Sequence, residues 1–219
     1  MNILVVSPHP DDETLGAGGT LLKEKQLGHS IFWLNITDMK EEYGWAPEKV
    51  IHRHNQIERV RNFYAFDGFY NLALPTTKLK NIDEGEIIGK IKSVYDEVKP
   101  EWVIIPGLYD AHSDHHVVFN CCMAAAKTFR APYIKRITTM EILSETDFGF
   151  QNDKFVPNLF VDISGTLDKK IEAMRIYDTE IEEMPFPRNT ENIKALASIR
   201  GGQSMCMYAE AFVVVKQIE

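Results

Sequence analysis

Short unbroken apolar runs alternate along this chain with longer segments of helical periodicity. Residues 3–6, Ile3-Leu4-Val5-Val6, form a run of strand length, the pattern of a strand buried on both faces. Residues 15–26 read as a helix that stops before Gly28. A second strand follows at 30–36, where Ile31, Phe32, Trp33 and Leu34 stand in succession. Pro47 suits the first turn of a helix, and the helical pattern runs to about residue 66. Residues 69–74 make a third strand, closed by Pro75. Ile87, Ile88, Ile91, Val94, Tyr95 and Val98 share one face of a helix over 82–98. The pattern predicts a fourth strand at 102–105, a helix at 115–129, and later strands at 137–143 and 159–163. Helices over 164–176, with Ser164 as its cap, and around 190–199 come next, and a last strand covers 211–215.

Repeated strand–helix units with continuous apolar strands imply a mainly parallel sheet with helices on both faces. The expected class is α/β: a single Rossmann-like, three-layer domain over residues 1–219, since no linker, repeat or low-complexity segment divides the chain. A length of 219 residues agrees, because ~150 residues is the soft prior per domain. In such sheets ligands sit beyond the carboxyl ends of the strands. The segments after the first and fourth strands are therefore where chemistry is expected.

Composition narrows the partners. The formal charge of −8 provides no basic footprint for nucleic acid, and an anionic membrane surface repels it on average. No run reaches the ~20 apolar residues of a membrane span, and no basic segment followed by a long apolar one marks a secretory signal. Cys121 and Cys122 lie in the apolar run 117–126, and Cys206 leaves the total odd. They read as small buried side chains in a reducing compartment, so a cytoplasmic protein is expected.

The two expected ligand segments concentrate metal-binding residue types. Pro8-His9-Pro10-Asp11-Asp12-Glu13 follows the first strand, and Asp110-Ala111-His112-Ser113-Asp114-His115-His116 follows the fourth. Four of the seven histidines fall there. Taken singly, Asp11-Asp12 also suits a helix start, and residues 112–116 suit a polar loop entering a helix. Meeting at one sheet edge, the two segments read as a divalent-cation site. Two imidazoles and one carboxylate leave positions open for water and substrate, as in catalytic zinc sites, and the same set suits non-haem Fe(II). Of two adjacent carboxylates, one can bind the ion while the other takes a proton from a bound water whose pKa has dropped toward ~7. Asp114 is placed to orient an imidazole from behind.

Together, Pro8-His9-Pro10-Asp11-Asp12-Glu13 and His112-Ser113-Asp114-His115 resemble the zinc-dependent LmbE-like/PIG-L N-acetylglucosaminyl deacetylase family, and Tyr208-Ala209-Glu210-Ala211-Phe212 is similar to its closing strand. The resemblance implies one Zn2+ per chain on His9, Asp12 and His115. It implies Asp11 as general base, and His112, oriented by Asp114, as stabiliser of the tetrahedral intermediate. The implied reaction removes an N-acetyl group from an amino sugar or its conjugate, and association into a homo-oligomer is in keeping with the family. Alternatives are an Fe(II)-dependent redox enzyme on the same three ligands, and a nucleotide- or sugar-binding module without chemistry.

Elsewhere the resemblance thins. The family's Thr-x-Gly-like turn has no glycine in Thr37-Asp38-Met39. Trp45 and Tyr43 are candidates for stacking on a sugar or for packing a loop. Arg53 is a candidate substrate contact, flanked by His52 and His54, which read as surface residues. His116 is a further metal contact or a helix-start residue. Gly16, Gly18 and Gly19 read as small residues that let a helix approach the sheet. Arg200-Gly201-Gly202 resembles an Arg-Gly turn that places Arg200 at the pocket mouth.

Overall fold

The apolar runs become the strands of one seven-stranded sheet in a computed structural model, which describes residues 1–149 and 155–219. The strands are β1 (Asn2–Ser7), β2 (Ser30–Asp38), β3 (Gly68–Pro75), β4 (Trp102–Ile105), β5 (Arg136–Met140), β6 (Leu159–Asp162) and β7 (Ala209–Gln217). The helices are α1 (Asp12–Gln26), α2 (Pro47–Tyr64), α3 (Glu84–Val98), α4 (Ser113–Ala125), α5 (Leu167–Met174) and α6 (Thr190–Ser204). The sheet order is β3-β2-β1-β4-β5-β7-β6. The first five strands in that order pair in parallel, and β7 runs antiparallel to both β5 and β6. The expected mainly parallel α/β architecture is therefore the one observed.

Period-two alternation divides the strand side chains between two cores. Ile3, Val5, Ile31, Trp33, Trp102 and Ile104 point to the layer made by α1, α2, α5 and α6. Leu4, Val6, Leu34, Ile36, Val103 and Ile105 point to the layer made by α3 and α4. Cys121 and Cys122 are buried in that second core without a disulfide. Among the described residues, no helix is long and apolar enough to cross a membrane.

Several boundaries differ from the pattern-based expectation. α1 starts at Asp12 and α4 at Ser113, so Asp12 sits in a first helical turn rather than in a loop, and His115 lies within the first turn of its helix rather than at its start. β5 stops at Met140, because Glu141 leaves the sheet to pair with Arg200. α5 is capped by Thr166, not Ser164. α6 continues to Ser204, so Arg200-Gly201-Gly202 is helical and not a turn. Gly201 is there for close approach: a Cβ on it would meet the Cys206 and Met207 carbonyl oxygens at 2.7 and 2.6 Å.

α1 is held unusually close to its surroundings. A Cβ at Gly16 would strike Met140 of β5, and one at Gly19 would come within 2.8 Å of the β-branched Ile163. A buried ion pair also enters the helix. Lys170 Nζ donates to the Leu15 carbonyl at 2.7 Å, and Glu210 Oε1 accepts from Lys170 Nζ and from Gly19 N at 2.6 and 2.9 Å. Glu210 Oε2 accepts from Thr20 N at 2.7 Å. The Lys170–Glu210 pair thus bonds directly to the backbone of the Leu15–Thr20 stretch of α1. Gly19→Ala should cost about 1–3 kcal/mol of stability through overpacking against Ile163, read as a lower urea midpoint with unchanged slope.

Candidate metal centre

β1 and β4 are neighbours in the sheet, with Ile3, Leu4 and Val5 opposite Trp102, Val103 and Ile104. The chain leaves β1 toward β2 on one side and returns to β4 on the other. The order therefore reverses between β1 and β4, the place where open parallel sheets form a ligand crevice. The links from β1 to α1 and from β4 to α4 both empty into it.

Asp11 precedes α1 with φ 141°, a conformation that non-glycine residues adopt only when their surroundings impose it. The restraint is a buried carboxylate beneath the turn. Glu13 Oε2 accepts the Asp11 N–H at 3.1 Å, while Glu13 Oε1 accepts from Thr14 Oγ1 at 2.7 Å and Tyr177 OH at 2.9 Å. Burial pushes the Glu13 carboxyl up to about 7, against those hydrogen bonds.

His9, Asp12 and His115 place ligand atoms within 4.8 Å of one another. His9 Nδ1 and His115 Nε2 stand 3.5 and 3.4 Å from Asp12 Oδ2. Ligands ~2.0–2.2 Å from a tetrahedral ion lie roughly 3.3–3.6 Å apart, so these separations suit a single ion. The other nitrogen of each imidazole meets a carboxylate: His9 Nε2 is 3.2 Å from Asp114 Oδ2, and His115 Nδ1 is 2.9 Å from Asp110 Oδ2. Metal-binding histidines are held in this way from behind. His115 Nε2 is buried with no hydrogen-bond partner, which matches a nitrogen whose lone pair is kept for a cation. The donor set thus fits a divalent metal.

Electrostatics point the same way. Burial works against the charge on Asp12, but His115 and His9 hold its carboxyl well below the usual range. Burial would lower His9, yet its bonds to Asp114 and Asp12 raise it to about 9. His115 is likewise raised against burial, chiefly by Asp12 and Asp110. Three carboxylates around two imidazoles therefore demand positive charge at this point. Asp11 behaves differently: burial and the neighbouring Asp12 push it well up, with Arg188 pulling the other way. Burial and the nearby His9 push His112 down to about 4, so it is neutral near pH 7. His112 Nδ1 accepts the Asp114 N–H at 3.1 Å, so the ring proton resides on Nε2.

The remaining sequence candidates separate. Asp114 was expected to orient His112, but its carboxylate serves His9 and accepts from Thr77 N and Leu79 N, with His112 Nδ1 at 4.0 Å. Residues two apart at a helix start do not share a face. His116 turns away to the Asp110 carbonyl. Arg53 is buried and donates to the Pro10 carbonyl at 3.1 Å, to Thr179 Oγ1 and to Glu180. His52 and His54 are exposed partners of Asp178 and Asp38. Tyr43 packs its loop by donating to the Ala73 carbonyl, whereas Trp45 lines the metal cavity. Arg200 does not line that cavity: the extended α6 carries it to a separate crevice, bonded to Glu141 and Gln203.

Pattern reading missed four residues. Asp110 lies behind His115. Arg188 Nη1 reaches Asp11 Oδ2 at 3.1 Å, and its Nη2 lies 3.4 Å from Glu180. Glu145 and Glu180 complete the wall of a cavity of about 250 Å3. Asp110 stood within the second segment as a carboxylate five positions before His115. Residues 145, 180 and 188 occupy irregular segments and carried no spacing signal.

Comparisons with known proteins follow this geometry. A family model described as GlcNAc-PI de-N-acetylase (PIG-L) matches residues 4–126, the span that contains both motifs. The chain is 26% identical over 232 aligned residues to diacetylchitobiose deacetylase of Thermococcus kodakarensis, covering 99% of this chain and 84% of that protein. It is 24% identical to a probable N-acetyl-alpha-D-glucosaminyl L-malate deacetylase 2 of Bacillus anthracis, covering 82% and 81%. A solved structure of a conserved protein from Thermus thermophilus matches with a TM-score of 0.78 at 27% identity, covering 99% of this chain and 96% of that one.

Removing the carboxylate behind a ligand should be felt at the metal. Asp110→Asn should weaken metal affinity by about 10–100-fold, measured by competition with a chromogenic chelator, while the circular-dichroism spectrum stays that of the unaltered chain.

Proposed function

Because this chain belongs to the PIG-L family, GlcNAc-PI de-N-acetylase, we propose that it is a zinc-dependent N-deacetylase of an N-acetylated amino sugar or amino-sugar conjugate. The observation that carries this reading is the buried Asp11 carboxylate beside a His9–Asp12–His115 group to which it does not itself belong. The deacetylase names of the relatives in Thermococcus kodakarensis and Bacillus anthracis support the same reaction class.

His9, Asp12 and His115 are the residues that would hold the ion. When bound there, a divalent cation would supply Lewis-acid polarisation of an acetamide carbonyl and would lower the pKa of the attacking water toward ~7. Asp11 takes that water's proton. Burial and the adjacent Asp12 raise the proton affinity of its carboxylate, the direction that strengthens a general base. Arg188 occupies Asp11 Oδ2, so Oδ1 is the oxygen that meets the water. As the water oxygen bonds to the carbonyl carbon, neutral His112 donates its Nε2–H to the oxygen on which charge develops. Asp11 then returns the proton to the amide nitrogen, the C–N bond breaks, and acetate and the free amine leave.

Acetate release from N-acetylated sugars is the direct measurement. Asp11→Ala should keep its metal and lose about 10²–10⁴ in kcat/KM, whereas His9→Ala should lose both. Equal metal loss in the two variants would reverse the roles of base and ligand. His112→Ala should lower kcat by about 10²–10³ with metal content unchanged. Chelator-stripped protein should be inactive and regain turnover with zinc in air, and turnover surviving complete stripping contradicts the proposal.

A further inference from the structure

The turn that follows β5 brings Glu145 into the wall of the metal cavity. Its backbone is tied to the loop after β4. Ala111 N donates to the Glu145 carbonyl at 2.9 Å, and Glu145 N donates to the Ile142 carbonyl at 3.1 Å. The next residue, Thr146, accepts from Ile142 N at 2.9 Å and donates its hydroxyl to Asp110 Oδ1 at 2.8 Å. Asp110 is the carboxylate behind His115, so Glu145 is held in register with the metal centre. The half-buried Glu145 carboxylate interacts through space with His115, Asp12 and His9. It stands outside the His9–Asp12–His115 group of convergent ligand atoms.

Charge pairing sets Glu145 apart from the rest of the wall. Five carboxylates line the cavity: Asp11, Asp12, Asp38, Glu145 and Glu180. Arg188 pairs with Asp11 and Glu180, and Arg53 pairs with Glu180. Asp38 accepts from Asn71 Nδ2 at 2.7 Å and from Met39 N at 2.8 Å, with His54 Nε2 at 3.1 Å. Asp12 lies between His9 and His115. Among the described residues, the Glu145 carboxylate has no hydrogen bond and no ion pair. A divalent ion and the two guanidiniums balance four of the five carboxylates. Both guanidiniums are committed, so an anionic group entering the cavity meets no free arginine or lysine among the described residues of its wall. Removing a carboxylate from water without a counter-charge is costly. An ammonium supplies that charge together with N–H donors, whereas a hydroxyl supplies a donor and no charge. The cavity, about 250 Å3, is smaller than the ~300–1,000 Å3 usual for drug-sized ligands, so acetamide and ammonium must share one compact unit.

Resting on the deacetylase reading, we propose that Glu145 is a specificity-determining residue that receives an ammonium group of the substrate. The preferred substrate is then an N-acetylated amino sugar that carries a second, free amine on the same ring. The reacting acetamide lies at the metal, and the ammonium pairs with Glu145 across the cavity.

The test compares zinc-loaded enzyme on N-acetylglucosamine, on its analogues with an amine in place of the 3-, 4- or 6-hydroxyl, and on its 6-phosphate. At least one amino analogue should exceed the parent sugar in kcat/KM by about tenfold, the factor that ~1.4 kcal/mol of added binding gives, and the phosphate should fall below the parent. Glu145→Gln should bring the amino-to-parent ratio toward unity, and Glu145→Lys should place the phosphate above the amino analogue. In the unaltered chain the amino advantage should shrink between ~0.01 M and ~0.15 M salt, as the Debye length shortens from about 30 to about 8 Å. Equal use of the parent and all three amino analogues, a preference for the phosphate, or a ratio unchanged in both variants overturns the inference. The deacetylated products give a readout without turnover. By calorimetry, a diamino sugar should bind the zinc-loaded enzyme about tenfold tighter than glucosamine, and Glu145→Gln should remove the difference. Absence of acetate from every compound overturns the deacetylase reading. A binding difference lost in Glu145→Gln upholds the role of Glu145 even then, and equal binding of the two products overturns it.

Discussion

Parallel pairing of β1 with β4 brings together side chains that the sequence keeps 105 positions apart, His9 and Asp114 among them. A parallel pair requires a long crossover, and here the crossover is the whole α1–β2–α2–β3–α3 run. Because both strands end at the same sheet edge, both following helices begin there. Asp12 and His115 occupy the first turns of α1 and α4, where backbone N–H groups face the crevice. That placement stabilises a carboxylate. Two neutral nitrogens and an anionic oxygen are what a divalent ion needs from its ligands.

Around that centre the protein divides negative charge by function. Asp110 and Asp114 stand behind the imidazoles, Asp12 stands between them, and Asp11 pairs with Arg188. The net charge of −8 is therefore not only a property of the surface: several of its carboxylates are buried at one point. Arg188, Glu180 and Arg53 link Asp11 and Pro10 to α2 and to the segment between α5 and α6. This chain of ion pairs lines the metal cavity.

The strands were legible because continuous apolar runs such as Ile3 to Val6 and Trp102 to Ile105 leave little choice of structure. The ligand-type residues were legible because metal chemistry needs few residue types and a sheet edge collects them. Helix starts were less so: Asp12 and Ser113 are polar, and an apolar pattern begins only where packing begins. Arg200 was misplaced because Gly201-Gly202 reads as a turn, yet Gly201 serves a backbone contact inside α6. Arg188, Glu145 and Glu180 were invisible for a different reason. Their positions follow from tertiary packing of irregular segments, to which no periodicity corresponds.

The bonding of the Lys170–Glu210 pair to the α1 backbone has a consequence in time. Every proposed metal ligand precedes residue 116, yet Gly19 N is bonded to a side chain 191 positions downstream. As the chain emerges from a ribosome, β1, β4 and their loops are available long before β7. The backbone around Leu15 and Gly19 must then wait for those side-chain partners. Contacts of such long sequence separation form late. The helix that carries Asp12 thus gains the Glu210 contacts on its backbone only when β7 docks, so the surroundings of the amino-terminal half of the cleft are completed by a strand from the far end of the sequence.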